Sequence, residues 1–117
     1  MQPARLDIER QPSSNGDGNP LVVRLNGKLS LETVHDFIST MRAEPAAHLV
    51  LDMSGLSFLD SAGVGALVSL FVSRRHQSKT LALAGLTQQG TAVLQVSGLL
   101  KLLPTFPSVE EALARTV

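Results

Sequence analysis

The chain has no cysteine, tryptophan or tyrosine, and phenylalanine occurs only four times. Without cysteine there is neither a disulfide framework nor a thiolate metal site. Ten basic and ten acidic side chains cancel to a formal net charge of zero. A nucleic-acid partner usually demands a basic face and stacking rings, so none is expected. Long apolar runs are missing too: none approaches the roughly 20 residues of a membrane span. The start, Met1-Gln2-Pro3-Ala4-Arg5-Leu6-Asp7, has neither the basic beginning nor the apolar centre of a signal peptide. The expectation is a cytoplasmic protein with no membrane insertion.

What is present is enough for an interior. The 117 residues are 44% hydrophobic, which suffices to close one core without staples. A single domain over 1–117 is expected, its core over about 21–114. Leu6 and Ile8 alternate with Arg5, Asp7 and Glu9, as in a half-exposed strand. The run Gln11-Pro12-Ser13-Ser14-Asn15-Gly16-Asp17-Gly18-Asn19-Pro20 is dense in turn formers, and residues 10–20 are read as a mobile hairpin loop. Leu21 to Leu25 makes a second strand, after which Asn26-Gly27-Lys28 is read as a turn.

Ser30 is placed to cap a helix carrying Leu31, Val34, Ile38 and Met41 on one face, with Pro45 marking its end. Leu49-Val50-Leu51 is a continuous apolar run, as in a strand covered on both faces. Val64, Leu67, Val68 and Phe71 repeat at helical spacing over about 62–76, and Arg74, Arg75 and His76 read as its solvated end. Leu81 to Ala84 forms a further strand. Thr87 caps a helix with Val93, Leu94 and Val96 inward and Gly98 at its stop. A short strand around 102–106 precedes a last helix opened by the capping box Ser108-Val109-Glu110-Glu111. This alternation predicts an α/β fold, a mixed and mostly parallel sheet of about five strands packed with about four helices.

The segment Phe58-Leu59-Asp60-Ser61-Ala62-Gly63-Val64-Gly65-Ala66-Leu67 brings a serine to the handover from buried strand to helix. Asp60 or Ser61 can cap the first turn, and the glycines admit a close backbone approach. Free N–H groups at the positive end of a helix suit an anion there, with phosphate the obvious candidate. Locally, a serine with no duty beyond capping fits as well. A hydrolytic nucleophile does not, since the elbow is Gly-x-Ser-x-Gly and Leu59 stands two residues before Ser61. His35, His48 and His76 have no spacing that builds a triad or zinc site, and there is no Walker loop. Asp52 and Asp60 lack a supporting set for acid–base work. Asp52 is read instead as a strand-end group fixing a Ser54-Gly55 turn. No catalytic residue, metal or cofactor is expected.

In their order, the Gly27-Lys28-Leu29 turn after an apolar strand, Asp52-Met53-Ser54-Gly55, the Asp60-Ser61-Ala62-Gly63 turn with its apolar helix, the Leu-rich segment near Leu100 and the Ser108–Leu113 helix resemble the STAS domain family, of anti-sigma factor antagonist type. The resemblance runs from about Leu21 to Ala114. It implies a non-enzymatic module whose Ser61 is phosphorylated by an anti-sigma factor that is itself a serine kinase. A separate serine phosphatase would reverse this, and the ATP would belong to the kinase. By the same resemblance, capture of that kinase would free a sigma factor for transcription. The resemblance further implies that Asp60, Ser61, Ala62, Gly63 and Val64 meet the partner, with Asp52 and Gly55 structural. A β-branched residue at Gly63 is then expected to reduce partner binding more than stability. Ala62 departs from the Ser or Thr often found beside the acceptor, and the long hairpin loop is not a family feature. An accessory subunit of a lipid- or anion-transport complex, or a stress-signalling scaffold, therefore stays open as an alternative without a phospho-switch.

Overall fold

Side chains alternate between the two faces of an extended strand, and here that alternation sorts residues by size. The computed structural model describes residues 4–11 and 20–116. In β2 (Leu21–Leu29), β3 (His48–Leu59) and β4 (Thr80–Ala84), the residues Leu21, Val23, Leu25, Leu49, Leu51, Met53, Leu81 and Leu83 join one buried cluster. Val22, Val50, Ala82 and Ala84, which alternate with them along the strands, join a second. The large residues face α1 (Val34–Arg42), α2 (Ser61–His76) and α3 (Gln88–Val96), which contribute Phe37, Met41, Val64, Leu67, Leu70 and Leu94. The small ones face α4 (Val109–Thr116), which contributes Ala112. Burial of each such leucine is worth about 1.5–3 kcal/mol, so the heavier layer carries most of the apolar stabilisation.

β1 (Leu6–Gln11) and β5 (Thr105–Phe106) complete a five-stranded sheet of order β1-β2-β3-β4-β5. β1 runs antiparallel to β2, and all other neighbours are parallel. The mixed sheet and its four helices match the α/β expectation. Of the loop expected over 10–20, Arg10 and Gln11 instead end β1, paired with Val23 and Val22 of β2, and residues 12–19 lie outside the described residues.

Several local expectations are corrected. Asn26-Gly27-Lys28 is not a turn: β2 continues to Leu29, with Gly27 at φ +112° and Lys28 N–H donating to the Arg5 carbonyl at 2.8 Å. That φ favours glycine, and a Cβ there would collide with Arg5 O. Ser54-Gly55 is not a turn either, because β3 runs on to Leu59. The extra length is absorbed as register shifts against β2, between Arg24 and Asn26 and between Gly27 and Lys28, as bulges do. A Cβ on Gly55 would stand 2.7 Å from Leu25 O, so the bulge brings two backbones too close for any side chain. Asp52 lies inside β3 and not at its end. It does fix Ser54, its Oδ1 accepting from Ser54 N–H at 3.1 Å and Ser54 Oγ–H at 2.7 Å.

The first helix begins at Val34 rather than after Ser30, and Leu31 is 74% exposed. Ser30 to Thr33 forms a turn instead, in which Ser30 O accepts from the N–H groups of Thr33 and Val34. Thr87 does cap α3, accepting from Gly90 N–H at 3.1 Å, yet Val96 is 90% exposed rather than inward. Gly98 follows at φ +76°. Ser108 Oγ accepts from Glu111 N–H at 3.2 Å, as the capping motif requires.

Arg74 is the largest departure, since only 3% of it is exposed. Its guanidinium reaches across from α2, Nε donating to Thr80 O at 2.8 Å and Nη2 donating to Ala46 O. Burial lowers its pKa from the ordinary value, and the negative charge of Glu44 opposes that shift. Glu44, also buried, accepts from Ala46 N–H at 2.8 Å and pairs with Arg10. Arg74→Leu would leave the Thr80 and Ala46 carbonyls unpaired and strip Glu44 of a compensating charge. We expect a loss of about 3 kcal/mol in urea denaturation. Arg75, exposed with its guanidinium 5.6 Å over the Phe71 ring, should tolerate the same change within about 1 kcal/mol.

Candidate functional site

Strands β2 and β3 end side by side, with Leu29 opposite Leu59. Their C-terminal ends therefore deliver two loops to one place, the position where α/β sheets generally present their functional groups. One loop is Ser30 to Thr33 and the other is Asp60, which leads directly into α2 at Ser61.

Asp60 holds the two together. It is the N-cap of α2, in extended conformation, and its Oδ1 accepts from Gly63 N–H at 2.9 Å. Its Oδ2 accepts from Leu31 N–H at 3.1 Å, across to the neighbouring loop. Thr33 Oγ1 secures that loop from within, accepting from Ser30 N–H at 3.0 Å and donating to Lys28 O at 2.8 Å. Of the two capping candidates, Asp60 thus takes the role. Ser61 is exposed, as the first residue of the helix.

Gly63 explains why the loop sits so close to the sheet. A Cβ on it would lie 2.7 Å from Leu59 Cδ1 and closer still to Leu29 O, so only glycine lets α2 approach. Of the residues singled out in sequence, Asp60 and Ala62 are half-buried, while Gly63 and Val64 are buried beneath Ser61. Asp60→Ala should lose about 1–2 kcal/mol in urea denaturation, from the cap and the Leu31 tether together. Asp60→Asn, which keeps an acceptor for Gly63 N–H, should lose less.

Beside Ser61 lies a groove of about 500 Å³ between α2 and α3, lined by Val64, Gly65, Ala92, Val93 and Val96. Its walls are almost wholly apolar, and Ser61 sits on its rim. Val96 was legible only as one more apolar helical residue. Its exposure follows from α3 presenting Leu94, and not Val96, to the core. Asp52 and Asp60 stand at residues 52 and 60 of one extended segment. At roughly 3.3 Å per residue they lie more than about 20 Å apart, which excludes a joint carboxylate site. His48 Nδ1 is 2.9 Å from Thr80 Oγ1, while His35 and His76 are exposed. Among the described residues no three His, Asp or Glu side chains group as metal ligands. No helix among them is long and apolar enough to cross a membrane.

A family model described as STAS domain matches residues 11–112. An anti-sigma F factor antagonist of Paenibacillus polymyxa is 26% identical over 98 residues, 80% of this chain and 83% of that protein. The fold superposes on an anti-sigma factor antagonist from Mycobacterium paratuberculosis with a TM-score of 0.83 at 20% identity, over 96% of this chain and 94% of that one. It also superposes on the anti-sigma factor antagonist SpoIIAA in its unphosphorylated form, with a TM-score of 0.73 at 21% identity, over 93% and 95% of the two chains.

Proposed function

The chain belongs to the STAS domain family, and from that premise we propose that it is an anti-sigma factor antagonist, a non-catalytic module whose docking is switched by phosphate on Ser61. The observation that carries this reading is the setting of Ser61, an exposed hydroxyl at the positive end of α2, on a turn clamped by Asp60 and at the rim of an apolar groove. The named likeness of the Paenibacillus polymyxa relative supports the same assignment.

The switch is electrostatic. Phosphorylation adds about −1.5 to −2 charge at neutral pH. Both Asp60 oxygens already accept N–H bonds, and the helix terminus favours an anion by about 0.3–1 kcal/mol. The fold therefore tolerates the modification. The apolar rim does not remain the same docking surface, because a partner covering it would have to desolvate a dianion. The partner in this reading is an anti-sigma factor with serine kinase activity that brings its own ATP, with a serine phosphatase restoring the hydroxyl. The protein then acts where the transcription machinery is, in the cytoplasm.

The test is to incubate the purified chain with the anti-sigma kinase of its own organism and ATP, then read intact mass and the modified site. One added phosphate on Ser61, absent from Ser61→Ala, is expected. No phosphate on either protein would reject the switch and favour an accessory role in a transport complex.

A further inference from the structure

β3 outruns its neighbour on one side. β4 pairs with it only from His48 to Asp52, whereas β2 follows it to Leu59. The N–H and C=O of Leu59 have no β4 residue to meet, just where the chain turns into Asp60 and Ser61. Leu59 is 1% exposed, and buried backbone groups left unpaired are costly.

Gln89 fills the gap. Its Oε1 accepts from Leu59 N–H at 2.9 Å and its Nε2 donates to Leu59 O at 2.8 Å. A side-chain amide carries the same donor and acceptor as a peptide group, so one residue reproduces both bonds of a missing strand neighbour. Gln89 is itself placed by the first turn of α3, which Thr87 caps through Gly90 N–H. On its other side Leu59 faces Leu29, whose carbonyl also accepts from Asp60 N–H at 3.4 Å. The backbone immediately before Ser61 is thus held from both sides, by β2 and by α3.

We propose that Gln89 is a positioning residue for Ser61, a strand surrogate that fixes the backbone from which the hydroxyl is offered to the kinase. This rests on Ser61 being the phosphate acceptor. A phosphoryl-transfer site requires its nucleophile within a narrow range of positions, and a displacement of about 1 Å can slow a reaction by about a hundredfold. Gln89 acts on that geometry without touching phosphate.

Two readouts on the full-length chain test the role. By amide hydrogen exchange, Gln89→Leu should accelerate Leu59 and Asp60 by about thirtyfold or more, while Leu51 and Leu83 in the sheet centre stay within about threefold. With the anti-sigma kinase and ATP, kcat for Ser61 phosphorylation should fall about tenfold or more at a KM changed less than about twofold. Gln89→Glu keeps the acceptor for Leu59 N–H but sets an oxygen against Leu59 O where the donor stood, and should also depart from wild type in both. The neighbouring Gln88→Leu should match wild type. Uniform acceleration at Leu51, Leu83 and Leu59 would reduce Gln89 to a general stability contact and overturn the proposal. So would an unchanged kcat in a protein whose Leu59 amide has been loosened. A wild type that accepts no phosphate would overturn the Ser61 reading and this inference with it, whereas equal phosphorylation of wild type and Gln89→Leu would overturn the role of Gln89 alone.

Discussion

Gly63→Val is expected to unfold the protein or leave it more than about 3 kcal/mol less stable, at the upper end of overpacking losses. The first atom added to Gly63 meets Leu29 O and lies 2.7 Å from Leu59 Cδ1, and the backbone oxygen cannot rotate away. Gly63→Ala already carries that atom, so it should also be strongly destabilised. Gly65, two residues further along α2, faces open space, and a Cβ there would meet nothing within 4 Å. Gly65→Ala should therefore stabilise, by about 0.5–1 kcal/mol from helix propensity. Urea denaturation of the three variants reads the contrast directly. The order of effects expected from sequence, binding before stability, should then be reversed, because a side chain on Gly63 meets the sheet and not the solvent.

Ser61→Asp is expected to weaken binding to the anti-sigma partner at least tenfold, about 1.4 kcal/mol, with little change in stability. It places a carboxylate at the first position of α2, where the helix terminus accepts negative charge. It also places that charge on the rim of the groove formed by Val64, Gly65, Ala92, Val93 and Val96. Ser61→Ala should bind as wild type does. Calorimetric titration of the partner with each protein, alongside their circular dichroism, separates a surface effect from a folding one. Equal affinity for Ser61→Asp and wild type would place the partner elsewhere on the molecule.

The motif around Ser61 was legible in sequence because its signals are local. An apolar run, an Asp cap and a period-3.6 apolar face all lie within neighbouring residues, and each reflects burial or a backbone N–H that needs a partner. Thr87 and Ser108 were legible for the same reason. What escaped sequence reading depends on distant residues. Asn26-Gly27-Lys28 carries the composition of a turn, yet pairing with β3 keeps it extended. Arg74 lies in a basic helix end, and only the Ala46 and Thr80 carbonyls, both outside that pattern, explain its burial. Gln89 carries no pattern at all. Its role exists because β4 stops short of Leu59, a matter of strand length that no residue in α3 encodes. Leu31 and Val96 look like core residues by spacing and are exposed, since the helix α1 starts later than Ser30 and α3 turns Leu94 inward.

The most direct measurement is the affinity of the purified anti-sigma partner for this chain in two forms, unmodified and quantitatively phosphorylated at Ser61. The unmodified form should bind, and the phosphorylated form should bind about a hundredfold more weakly or worse, about 2.7 kcal/mol, with circular dichroism and thermal midpoint nearly unchanged. Equal affinity of the two forms, in proteins equally folded, would contradict a phosphate switch at Ser61.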